Sequence, residues 1–255
     1  ENALGFKPDF IWYKTRTQAY DHNLTDSTRG TGKQVRPNTT VAEVNATDHI
    51  LSFDTGGFTV GSGGDANKDG DDYVAWCLKA NGGTTSSNTD GSITSTVQAN
   101  TGAGFSVVSY SGTGSTQTIS TVGFQPDLVW IKQRNGTNVH ELYDSSRGAT
   151  KRLQSNATNT EDTRSTELTA FATNGFTVGT STFGGVNGST NTYVAWSWRA
   201  NGGTTSTNNE GNHTSTVQAN TVGGFSIISY ANYTSSSGVT LGHGLNQAPD
   251  LYIHK

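Results

Sequence analysis

The stretch Gly123–Lys132, GFQPDLVWIK, decides how this chain is read, because Gly5–Lys14 carries nearly the same string, GFKPDFIWYK. Within it Leu128–Val129–Trp130–Ile131 is apolar on both alternating faces, as a strand covered on both sides requires, and Phe10–Ile11–Trp12 matches it. The likeness extends outward. Gly5 to Gly61 returns at Gly123 to Gly179 without a gap, with 24 of 57 positions identical. Tyr73 to Tyr110 returns at Tyr193 to Tyr230 with 26 of 38 identical, two residues being added between the blocks. A third copy starts where Phe225–Tyr230 leads to Pro249–Lys255. Repetition at a fixed period ranks above any single-residue motif. The spacings of 118 residues (Gly5 to Gly123) and 120 (Tyr73 to Tyr193) fit a small domain rather than a solenoid turn.

Strand signals dominate, and helical periodicity is nearly absent. In the second copy strands are expected at Ser92–Gln98, Phe105–Tyr110, Gln117–Thr121, Asp127–Gln133, Val139–Tyr143, Lys151–Gln154, Thr166–Phe171, Phe176–Gly179 and Thr192–Arg199. Asn159–Leu168 alone has room for a helical turn. So many short strands describe an all-β chain of tandem sandwich modules, of jelly-roll or lectin-like type. The loop-like stretches NGGTTSSNTD (Asn81–Asp90) and NGGTTSTNNE (Asn201–Glu210) have linker composition. Joints placed there give a partial module at 1–80, a linker at 81–90, a complete module at 91–203, a linker at 204–210 and the first strands of another module at 211–255. The chain then reads as an excerpt of a longer array. Strand donation from the tail of one copy to the head of the next competes with this, but Pro249–Lys255 duplicates a strand the head already owns as Pro8–Lys14.

Composition agrees with ordered β structure. The chain is only 31% hydrophobic, which by itself suggests disorder, but disorder also needs high net charge, and here 14% of residues are charged with a net of −4. The aromatics (5 Trp, 9 Tyr and 10 Phe) fall in runs with β-branched residues, so thin cores under polar faces are expected. No window reaches the length of a membrane span, and no basic cluster points to nucleic acid. Cys77, the sole cysteine, is replaced by Ser197 in the second copy and reads as a small buried hydrophobe. The recurring Trp12, Trp76, Trp130 and Trp196 sit at equal places within strands and read as core rather than as a sugar-stacking platform.

Candidate chemistry is sparse. His22-x-Leu24-x-Asp26-Ser27-x-Arg29-Gly30 recurs as His140-x-Leu142-x-Asp144-Ser145-x-Arg147-Gly148. A hydrolase needs Ser–His and His–Asp contacts, whereas here Asp and Ser are adjacent and no nucleophile elbow surrounds the Ser. A strand ending in a turn accounts for the block, with Asp accepting backbone N–H bonds and Arg clamping the carboxylate. Pro8–Asp9, Pro126–Asp127 and Pro249–Asp250 open the central strand in all three copies as a rigid entry followed by a turn-satisfying Asp. No carboxylate pair stands out, so no enzyme is expected. Asp65-x-Asn67-x-Asp69-Gly70-Asp71 imitates the start of an EF-hand loop, which makes Asp65, Asn67, Asp69 and Asp71 a candidate Ca2+ site. Against it, Trp76 stands where the bidentate Glu belongs and the second copy has Gly185–Thr190 there, so a solvated acidic hairpin is the competing reading. Asn-x-Ser/Thr sequons occur at Asn23, Asn38, Asn45, Asn135, Asn156, Asn187, Asn212 and Asn232.

Taken together, GFQPDLVWIK…HELYDSSRGATKRLQSN…YVAWSWRANGG…GSITSTVQANTGAGFSVVSYSG resembles repeat modules of virion structural and tail-fibre-like proteins of marine bacteriophages, notably those of cyanobacterial hosts. VTLGHGLNQAPDLYIHK (Val239–Lys255) is similar to the opening of the same module. The resemblance implies a virion or otherwise extracellular location and a fibre or adhesin segment that contacts host-surface polysaccharide. Its partners would be further copies of itself or neighbouring modules, with no nucleic acid and no membrane insertion. A purely structural spacer, capsid decoration or fibre-forming protein is the alternative, and a polysaccharide depolymerase component the less favoured one.

Overall fold

The computed structural model describes residues 4–181, 185–231 and 238–255. The first copy builds β1 (Phe10–Thr15), β2 (Asn23–Asp26), β3 (Lys33–Val35), β4 (Val44–Asn45), the hairpin β5 (Ile50–Asp54) and β6 (Gly57–Val60), a one-turn helix α1 (Gly64–Asn67) and β7 (Tyr73–Leu78). An antiparallel sheet in the order β4-β3-β2-β1-β7 carries the hairpin on one face. Ile11, Tyr13, Ile50 and Ala66 form the core between them, with Phe53, Phe58, Val60 and Cys77 packed around it.

The second copy is fuller. Its strands are β8 (Ser86–Asn88), β9 (Ser95–Asn100), β10 (Phe105–Ser111), β11 (Gln117–Ile119), β12 (Leu128–Gln133), β13 (His140–Asp144), β14 (Lys151–Gln154), β15 (Asp162–Thr163), β16 (Leu168–Ala172), β17 (Gly175–Val178) and β18 (Thr192–Trp198). They form an eight-stranded sheet, β15-β14-β13-β12-β18-β10-β9-β8, facing a three-stranded one, β11-β17-β16. Val97, Val108, Ile119, Val129, Ile131, Phe176 and Val178 fill the space between. The third copy contributes β19 (Ser206–Asn208), β20 (Ser215–Asn220) and β21 (Phe225–Ser229), a sheet in which β21 pairs with β20. The expected all-β sandwich class is what the chain adopts.

Between the modules lies a third core. One row across the eight-stranded sheet reads Gln98, Val107, Trp196, Trp130, Leu142, Leu153 through direct cross-strand pairs. The matching row of the first sheet reads Trp76, Trp12, Leu24, Val35. These faces pack on each other, burying Phe10, Leu24, Val35, Phe105, Val107, Trp130, Val194 and Trp196 in one cluster. Aromatic rings meet edge to face across the junction, Trp12–Trp130 at 6.0 Å, Phe10–Trp196 at 5.8 Å and Phe10–Phe105 at 5.9 Å. The order of layers is therefore hairpin, five-stranded sheet, eight-stranded sheet, three-stranded sheet. Both inner sheets are covered on both faces, which is the reason their central strands are apolar throughout. The tryptophans are core as expected, but that core lies between modules; Trp130 and Trp196 are fully buried while Trp12 and Trp76 are half-buried.

Three expectations need correction. The stretch Asn159–Leu168 holds β15 and a turn, and the helical turn sits at α1 instead. The supposed linkers are folded: Ser86–Asn88 is the edge strand of the large sheet, with Ser86 opposite Val97 and Asn88 opposite Ser95, and Ser206–Asn208 repeats it on β20. Pro249–Lys255 forms no strand and is exposed. Its counterpart β12 is held by β13 and β18 on either side, and the third copy has neither within these residues.

Because one aromatic layer joins both sheets, Trp196→Ala should cost about 3–5 kcal/mol in denaturant unfolding. Phe10→Ala should raise amide hydrogen exchange in β10 and β18 as well as in its own sheet. Unchanged protection in β10 and β18 would mean that the layers do not support each other.

Candidate functional site

The most heavily hydrogen-bonded carboxylates open the central strands. Asp127 is fully buried, and its Oδ2 accepts the amides of Ala200 at 2.7 Å and Gly202 at 2.9 Å. Its Oδ1 accepts the amide of Gly203 and the hydroxyl of Ser145, at 2.6 and 2.7 Å. The turn presents those amides because Gly202 and Gly203 both take positive φ, 61° and 80°, which only glycine adopts without strain. Asp9 is held identically by Ala80, Gly82, Gly83 and Ser27. From the following strand Gln98 donates to Ser27 and Thr28, both at 2.9 Å, and Gln218 donates to Ser145 and Ser146 at 2.9 and 2.7 Å. The Pro-Asp, Asp-Ser, Asn-Gly-Gly and Val-Gln-Ala-Asn blocks thus converge on one joint, made twice.

The His-to-Gly block divides its residues among structural tasks. Trp130 Nε1 donates to His140 Nδ1 at 3.0 Å, and Trp12 does the same to His22. Burial pushes the His140 pKa well below its usual value, so the ring stays neutral and can accept this bond. Asp144 accepts the Arg147 amide at 2.9 Å and Nε at 2.5 Å, the turn clamp expected from sequence. Ser145 serves Asp127, so no Ser–His–Asp relay is assembled. In the first copy the clamp reaches across the junction. Asp26 holds Arg29 at 2.6 Å and accepts Trp196 Nε1 at 3.1 Å, while Arg29 lies over the Trp196 ring at 5.5 Å. Glu43 then bridges Arg29 and Arg134 at 3.0 and 2.9 Å. Burial alone would raise the Glu43 pKa, but the Arg134 bonds and the Arg29 charge outweigh it and hold it low.

A carboxylate pair that sequence reasoning missed lines a cavity of about 360 Å3 with Arg152, Arg164 and Gly185. Glu141 and Glu167 are both buried. Tyr143 donates to Glu141 at 2.5 Å and Arg152 at 3.3 Å; Ser181 and the Val186 amide donate to Glu167 at 2.8 and 3.2 Å. The backbone of Gly185 passes between them, since a Cβ there would lie 2.3 Å from Glu141 and 3.0 Å from Glu167. Burial first, then the Glu167 charge, raises the Glu141 pKa to about 7. The first copy has Asn23 and His49 at these positions, with Tyr13 bonded to His49 at 2.9 Å and His49 to Asp65 at 3.0 Å. The signal available in the sequence was that both positions change between copies, Asn23 to Glu141 and His49 to Glu167.

The four residues of the candidate calcium loop are not brought together. Asp65 turns inward to His49, Asn67 donates to the Gly61 carbonyl at 2.9 Å, Asp71 accepts Thr17 and Gln18 at 2.9 and 3.1 Å, and Asp69 is exposed. Among the described residues no group of three or more His, Cys, Asp or Glu could hold a metal ion. Of the sequons, Asn23 and Asn187 are fully buried, and Asn232 lies outside the described residues.

Replacing Asp127 by Asn puts an amide donor against backbone donors, so stability should fall by about 1.5–3 kcal/mol with faster exchange at Gly202 and Gly203. Glu141→Gln tests the raised acid. A folded pKa above the unfolded one stabilises fully below the unfolded value, and that contribution is lost as pH rises through about 7. The stability difference between variant and parent should therefore shift by about 1–3 kcal/mol in favour of the variant from pH 5 to pH 8. A flat difference would place Glu141 in the ordinary carboxylate range.

The family model described as Domain of unknown function (DUF7483) matches twice, over residues 1–121 and 110–255. The chain belongs to that family. No curated protein and no solved structure matches it.

Proposed function

We propose that this DUF7483 chain is a non-enzymatic segment of a phage virion fibre or adhesin whose repeated polar loops contact host-surface glycans. The observation that carries this reading is the joint made twice with the same contacts, Asp9 and Asp127 each gathering an Ala-Asn-Gly-Gly turn and a Ser hydroxyl. A joint of that kind holds successive modules at a set angle, and rigid presentation of repeated weak sites is the physical basis of avidity. The resemblance to phage modules supplies the virion and the extracellular location.

A spacer without a ligand is the second reading, and the buried aromatics favour it. Trp130 is 4% exposed and Trp196 is 0% exposed, so neither can stack on a sugar ring. Catalysis is the least supported, because Glu141 and Glu167 are each occupied by protein donors and Asn23 and His49 replace them in the first copy.

Displayed many-fold on beads, the chain should retain host envelope polysaccharide about 10²-fold more tightly than as soluble protein. Retention at background with every envelope fraction would remove glycan contact and leave the spacer. Antibody labelling of intact particles should mark the fibres; label confined to the capsid would place the chain on the head.

A further inference from the structure

The first module has two open strand edges among the described residues. β7 pairs with β1 alone and β6 with β5 alone, while their counterparts β18 and β17 hold second partners, β10 and β11. Between those edges lies an apolar groove of about 300 Å3 lined by Tyr13, Phe58, Val60, Ala66, Val74 and Ala75. In the central sandwich Val97, Val108, Tyr110 and Ile119 fill the corresponding space.

The other end of the chain carries the matching piece. β19-β20-β21 repeats β8-β9-β10, and among the described residues the outer edge of β21 has no partner where β10 has β18. The Thr240 amide donates to Asn212 at 2.8 Å, as the Thr118 amide donates to Ser92 at 2.7 Å, which makes Leu241 the counterpart of Ile119. The two family matches put the same fact in sequence terms. Residues 1–121 comprise β1–β11, and β8–β11, of which β11 falls in both matches, complete a sandwich whose other strands, β12–β18, fall in the second match. Strands of the first match thus join those of the second to build the central domain.

We propose that a second copy of this chain occupies the groove, its β19–β21 and Leu241 supplying to β7 and β6 what β8–β11 supply to β18 and β17. An exposed apolar edge is a template for strand addition. The β10–β18 register transfers directly and sets Phe225 opposite Leu78, Ser226 opposite Cys77 and Ile228 opposite Ala75. Val217, Ile228 and Leu241 would then face Tyr13, Phe58 and Val60. Pro249–Lys255 does not compete with β1 for its place, since it forms no strand and is exposed. The contact is heterologous, so it propagates head to tail into a filament.

Sedimentation velocity over rising concentration should give a weight-average mass climbing past about twice that of one chain. Ile228→Glu, which sets a charge in the groove while leaving the central module intact, should return it to one. The register is read separately. Ser226→Cys under mild oxidation should yield a disulfide-linked ladder, with mass spectrometry joining the Cys77 peptide to the peptide carrying the substitution. Adding Cys77→Ser should abolish every band above the dimer. A mass that stays at one chain throughout, or links that never involve Cys77, would overturn the proposal. Neither outcome bears on glycan retention or particle labelling.

Discussion

Everything in this molecule depends on sheets that are covered on both faces. A chain with 31% hydrophobic residues has little to fill its cores with, and one of its three clusters is shared between modules. The row through Trp130 and Trp196 faces the first module, while Val129, Ile131 and Ala195, one residue away on the same strands, face the second module's own interior. Alternation along a strand therefore yields two cores from a single sheet. The polar network at the junction follows from that burial. Trp196 brings an indole N–H into the cluster and Asp26 accepts it; Arg29 balances that carboxylate, and Arg134 joins Arg29 in balancing Glu43.

The carboxylates of Asp9 and Asp127 solve a different problem, which is how a Gly-rich, Ser/Thr-rich segment comes to hold an angle. Two glycines with positive φ aim successive amides at one point, and a buried anion at that point fixes the turn. Composition suggested a flexible spacer. The amides are instead consumed by a residue more than 70 positions earlier in the chain, with |i−j| of 73 to 76 at Asp127. Such a contact leaves no trace in local composition.

What the sequence disclosed was whatever shows in period and alternation. The doubly apolar strands β1, β12 and β18 were legible because each residue type follows from burial on its own face. The turn clamp of Asp144 and Arg147 was legible because it spans three residues. The linkers were misread because Ser86–Asn88 joins the sheet through backbone bonds that its polar side chains do not advertise. The carboxylate pair was missed for a related reason: Glu141 and Glu167 lie on different strands or turns and meet only where Gly185 passes between them. The arrangement of the acidic loop was likewise not legible. Its oxygen spacing was real, but the one turn of α1 rotates Asp65 toward His49 and leaves Asp69 in solvent.

The two copies differ most where each keeps a buried polar cluster beneath its hairpin. One holds Asn23, His49 and Asp65, the other Glu141, Arg152 and Glu167, and in each the substitutions compensate one another. Asn23 beside Glu167, or Glu141 beside His49, would alter both the charge and the hydrogen-bond count of a largely buried site. At the joints Asp, Ser, Gly-Gly and Gln recur unchanged, and the one exchange, Thr28 for Ser146, keeps the hydroxyl that the Gln bonds. Inside the modules the polar clusters have changed together, whereas the residues that hold the buried Asp at each joint are the same in both copies. That is the pattern expected when the unit under constraint is the contact from one repeat to the next rather than the interior of either one.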